Sequence, residues 1–203
     1  MKKQLHFVVI PVLATVLTAM LGLTAASAEG DSGKFHWLAA TGMTDFGSVC
    51  SLGVPCPDAA VASSNFDVIE ITGEGTLRIH KGKPKQVRGA GSYRHTTMGG
   101  DLVDLGTWTA RKLLSFESFG PSNILPANWL QGRALILIHM VSQSGDMEAF
   151  ATLELGCRLP DPVTPTPMGT IEGIRLDVKG GLNFDIATDP SSTLYLQISD
   201  DDD

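Results

Sequence analysis

The sequence predicts an all-β protein, a single antiparallel β-barrel of about eight strands or, as the alternative, a two-sheet β-sandwich. Three observations carry this. Apolar and polar residues alternate along several short runs, the period of a strand with one buried face. The 203 residues include 22 Gly and 11 Pro, which cut the chain into short segments separated by turns. No stretch after the N-terminal region shows an amphipathic helical stripe. Apolar residues at 43% and charged residues at 18% supply a core and exclude wholesale disorder.

The chain opens with the marks of an export signal. Lys2 and Lys3 form a basic start, an apolar run follows from Phe7 to Leu23, and Ala26 and Ala28 stand before Glu29. Small residues at those two positions fit signal-peptidase cleavage after Ala28. The competing reading is a retained membrane anchor, but an anchor has no use for the small-residue ending. Residues 1–28 carry two lysines and no acid, so their removal takes the formal charge from −7 to −9. An acidic chain of this kind has no basic face for nucleic acid. With no second long apolar stretch, the mature chain is expected to have no membrane span and to be secreted or periplasmic.

The expected organisation has four parts: a signal peptide over 1–28, an irregular segment with a cysteine loop over 29–65, the β-barrel domain over 66–199 and an acidic tail over 200–203. Cys50 and Cys56 enclose Ser-Leu-Gly-Val-Pro. Export favours disulfides, and Gly53 with Pro55 helps so short a loop to close, so a local Cys50–Cys56 bridge is preferred. That leaves Cys157 over; a bridge from Cys157 to either partner is the alternative.

The strands follow in order. In Val68–His80, Ile69, Ile71, Leu77 and Ile79 share one parity, and Glu70, Thr72, Glu74, Thr76, Arg78 and His80 take the other. Gly73 and Gly75 interrupt the apolar side and predict a bend or bulge. After the turn Lys81–Lys85, Val87–His95 is the next strand, with Gly89, Gly91, Tyr93 and His95 on one parity. Leu102–Phe119 follows the turn at Gly99 and Gly100, giving an antiparallel meander. Ala134–Val141, apolar except for His139, reads as a strand buried on both faces. Glu148–Cys157 alternates again. Four prolines between Leu159 and Met168 make an extended connector, because proline has no amide hydrogen for a ladder. Residues 172–178, 182–186 and 193–198 complete the set. Glycines on the inward parity favour strong curvature, and hence the barrel.

The segments Gly73–His80, Gly89–His95, Gly106–Ala110, Leu114–Phe116, Gly132–His139, Leu153–Cys157 and Glu172–Leu176, with Asn183 and Phe184, resemble a group of exported bacterial β-proteins with no assigned activity. The resemblance covers roughly residues 66–186. It implies an exported β-fold and carries no chemistry with it. Gly73-x-Gly75 and Gly89-x-Gly91 are not nucleotide loops, since no helix follows to meet a phosphate.

Few residues suggest chemistry. His80, His95 and His139 lie in or near predicted strands. If they converged, with a carboxylate from Glu70, Glu74, Glu148 or Glu154, they would hold zinc or copper. Parity opposes this, for His80 falls on the wet face and His139 stands among aliphatics as a structural histidine would. No Gly-x-Ser-x-Gly elbow marks a serine hydrolase. A Cys157–His139 nucleophile requires a reactive thiol, which burial or oxidation after export would remove. Tyr93, Trp108 and Trp129 are candidate lining for a ligand, against the simpler reading of core packing. The leading expectation is therefore a module binding a small apolar ligand in a barrel or cleft, with no resident cofactor. An envelope or extracellular protein-interaction module and a metal-assisted or cyclase-like enzyme are the alternatives.

Overall fold

The computed structural model describes residues 32–39, 57–80, 85–188 and 193–198. The leader, Cys50 and Cys56 with the bridge expected between them, and the acidic run Asp200–Asp203 lie outside the described residues. The strands are β1 (Gly33–Ala39), β2 (Asp58–Val61), β3 (Val68–Ile79), β4 (Gln86–Thr96), β5 (Leu102–Pro121), β6 (Trp129–Ser142), β7 (Glu148–Cys157), β8 (Gly173–Val178), β9 (Asn183–Phe184), β10 (Ile186–Ala187) and β11 (Leu194–Ile198). All eleven belong to one antiparallel sheet, and the described residues include no helix. None therefore forms a helix long and apolar enough to cross a membrane.

Two expectations need correction. Eleven strands replace about eight, because the segment expected to be irregular supplies β1 and β2 and the stretch after β8 breaks into two-residue pieces. The apolar island Phe35-His36-Trp37-Leu38 is the reason for β1: Phe35 and Trp37 are buried while His36 and Leu38 are half-buried. The second correction concerns β6. Ala134, Ile136, Ile138 and Met140 are buried, whereas Leu135, Leu137, His139 and Val141 are half-covered. Its outer face is flanked in register by β5 on one side and β7 on the other.

Strands β3 to β7 run as a meander, each pairing with the next. β3 has a second ladder edge, shared end to end by β2 on Val68–Ile71 and β1 on Gly73–Ile79. β6 likewise takes β11 at Trp129 and Leu130 and β7 from Gly132 onward. β1 and β11 pair with each other. In β5, three register shifts against β6 place buried Leu113, Phe116 and Phe119 three residues apart instead of two. Each bulge inserts an unpaired residue and bends the strand, which is how twenty residues follow a curved partner.

The inner face is built in tiers by strand register. Gly75 lies opposite Gly89 and Trp37; Gly73 lies opposite Gly91, which lies opposite Trp108. These glycines are the floor on which the indoles rest. A Cβ at Gly73 would come within 2.4 Å of Trp108, and one at Gly75 or Gly89 within 2.6 or 2.5 Å of Trp37. The indoles stack with centroids 5.8 Å apart. Trp108 donates its Nε1 hydrogen to the Thr72 carbonyl at 3.1 Å. The next tier repeats the device: a Cβ at Gly106 would meet the Tyr93 ring at 2.9 Å. The proline-rich connector is not the continuous extended run expected: it bends at 160–161 and 163–164, on either side of a bridge from Pro162 to Ser122, and Asp161 takes a positive φ. Gln131 pins it by donating to Thr164 O at 2.8 Å and accepting from Thr166 Oγ1 at 2.6 Å.

Candidate functional site

One end of the sheet opens as a cleft of about 470 Å³, where β3 and β5 begin and β4 and β6 end. Its walls are largely aliphatic and aromatic, with Ile69, Val103, Met140, Val178, Leu182 and Phe184 among them. The polar groups come from three neighbouring strands. His95 sits across from Ile69 on one side and Asp104 on the other; Tyr93 sits across from Ile71 and Gly106. Because cross-strand partners share a face, Tyr93, His95 and Asp104 all point inward.

These groups form two hydrogen-bonded sets. Tyr93 donates its hydroxyl hydrogen to Asp104 Oδ2 at 2.6 Å, and Ser142 donates to Asp104 Oδ1 at 2.8 Å. Ser144 Oγ lies 2.9 Å from Ser142 Oγ, extending the chain toward the β6–β7 turn. His95 Nε2 lies 3.0 Å from Asp67 Oδ2, and its ring meets Phe184 edge-on with centroids 5.3 Å apart. Asp104 is thus a carboxylate fixed from both oxygens.

Burial pushes the Tyr93 phenol pKa far above its usual value, and the hydrogen bond to Asp104 and that carboxylate's charge push the same way. Burial also raises Tyr195 and Cys157. The folded protein holds these protons and the unfolded chain releases them near their ordinary values of about 8.5 for Cys and 10 for Tyr. Stability is therefore complete below those values and falls as pH rises through them. The urea midpoint is expected to stay level from about pH 7 to 8 and to drop above about pH 9. A midpoint unchanged up to about pH 11 would contradict the burial of these groups.

The structure separates the three candidate metal-binding histidines. His95 is at the cleft, level with Ile69, while His80 follows the other end of β3. Eleven positions of strand put them about 35 Å apart. His139 faces outward, with Arg111 Nη2 3.1 Å from its Nδ1 and Glu148 Oε2 3.0 Å from its Nε2. Among the described residues no group of three or more His, Cys, Asp or Glu is placed to hold a metal ion. The four candidate carboxylates have other partners instead: Glu70 pairs with Arg94 and Glu154 with Arg133 and Arg175, while Glu74 lies 3.2 Å from the His36 imidazole and Glu148 3.0 Å from that of His139. Cys157 faces inward opposite Gly132 as a buried free thiol, seven strand positions or about 23 Å along the sheet from His139, which pairs with Phe150.

The candidate ligand-lining aromatics also divide. Tyr93 lines the cleft. Trp108, at 1% exposure, and Trp37, at 0%, fill the interior beneath it. Trp129 is the first residue of β6, half-buried opposite Leu196 and about 40 Å along that strand from Ser142. Sequence reasoning passed over Asp67, Asp104 and Ser142. Asp104 had a signal: it shares the inward parity of Gly106 and Trp108, and a carboxylate on that parity needs partners.

No family model, curated protein or solved structure matches this chain.

Proposed function

We propose that this is an exported single-domain β-barrel protein that binds a small, mostly apolar molecule in the cleft at one end of the barrel. Barrel closure is supported by the ladder pairs β3–β4, β4–β5, β5–β6, β6–β11, β11–β1 and β1–β3, which return to their start. Closure removes the free edges a curved sheet would otherwise present. Export rests on the character of residues 1–28.

The observation that carries the binding reading is the cleft itself. Its volume lies in the range of small-molecule sites, its walls are apolar, and a few polar groups are held in place within it. The stacked indoles below give it a solid floor, so space is offered at the mouth and not through the barrel. Exposed Phe66, Met98, Leu102 and Met147 surround this end and supply an apolar lip.

Methionine methyl NMR tests this. On titration with n-octanol, the Met140 and Met147 signals are expected to shift and saturate together, while fully exposed Met168 stays put. Uniform shifts at all methionines, or none at Met140 and Met147, would remove the reading.

A further inference from the structure

We propose that the cleft selects an amphipathic organic cation: an apolar body carrying one protonated amine, which docks on Asp104. This rests on the small-ligand reading above and narrows it to one chemical class. The argument begins with charge. The residues lining the cleft include the carboxylates Asp104, Asp146 and Glu148 and no lysine or arginine. Glu148 is engaged by His139, and the cleft's imidazole, His95, by Asp67. Among the described residues Asp104 and Asp146 have no cationic partner. A cation entering here meets uncompensated negative charge inside apolar walls, where screening is weakest.

Hydrogen-bond capacity points the same way. A carboxylate offers about four acceptor positions, and Tyr93 and Ser142 occupy one on each Asp104 oxygen. The remaining positions accept from a ligand N–H without disturbing either bond. Those same two hydroxyls spend their hydrogens on Asp104, so neither is available to a ligand oxyanion. Two aromatic rings, Tyr93 and Phe184, line the same cleft, and aromatic rings attract cations. A carboxylate-headed ligand such as a fatty acid would bring like charge beside Asp104 with no lysine or arginine to receive it.

Three probes of equal length decide the matter: n-octylammonium, n-octanol and n-octanoate, each titrated into the purified protein below its micelle concentration. Octylammonium is expected to bind roughly tenfold or more tighter than octanol, and octanoate roughly tenfold weaker, the scale of one charge-assisted hydrogen bond. Asp104→Asn should bring the octylammonium and octanol affinities within about threefold of each other. The wild-type ranking stands independently if that variant does not fold. Equal binding of all three, or preference for octanoate, overturns the cation proposal and leaves the small-ligand reading intact. So does an Asp104→Asn protein that keeps the wild-type preference. Failure of every probe to shift Met140 and Met147 overturns both.

Discussion

Trp108→Ala is expected to lose about 3–5 kcal/mol of folding stability, the range for deleting a fully buried tryptophan. The side chain is 1% exposed, stacks on Trp37, lies over Gly73 and donates to the Thr72 carbonyl. Truncation empties the centre of the sheet and leaves that carbonyl without its side-chain donor. A domain of this size has only about 5–15 kcal/mol in total, so the variant would sit near the limit of folding. Urea denaturation of wild type and variant measures the difference. A loss under about 1 kcal/mol would mean that the indole is not packed as described.

Gly75→Val is the complementary case, adding volume where none exists. Any Cβ at this position comes within 2.1 Å of the Arg88 carbonyl oxygen and 2.6 Å of the Trp37 ring. The carbonyl belongs to the paired strand β4 and has no rotamer with which to escape. The expected cost is about 3 kcal/mol or more, a fall in Tm of about 10 °C, since overpacking against backbone exceeds the usual strain of an added methyl. Gly89→Ala meets the Trp37 ring first, at 2.5 Å, and the Glu74 carbonyl oxygen second, at 2.8 Å, so part of its strain can be relieved at a side chain. Pairing it with Trp37→Leu should recover roughly 1 kcal/mol or more relative to the sum of the single effects. Strict additivity would show that the glycine does not make room for this indole.

The alternation in β3 was readable from the sequence because one face is wet: Glu70, Thr72 and Glu74 mark every second position. The glycines on its inward parity were readable as curvature. Their closer cause was not, because Trp37 arrives from β1, a strand distant in sequence that inserts between β3 and β11. Parity also failed in β5, where each bulge resets the two-residue period; Leu113, Phe116 and Phe119 then recur like a helix fragment while lying on a strand. At the cleft, Tyr93 and His95 were legible as inward-facing residues. Asp67 was not, because it lies just before β3 and reaches His95 from outside the ladder. The separation of His80 from His95 follows from antiparallel pairing, which sets the end of one strand beside the beginning of the next.

A pocket-filling change gives the binding account its control. Met140→Trp places a larger side chain among the residues that line the cleft and leaves Asp104, Tyr93 and Ser142 unsubstituted. The most direct measurement is native mass spectrometry of the protein recovered from its own host, wild type beside Met140→Trp. The account predicts a one-to-one adduct of a small organic base on wild type and a bare chain for the variant. A wild-type chain that is bare as isolated and stays bare with octylammonium or octanol, or an adduct equally retained by Met140→Trp, would contradict it.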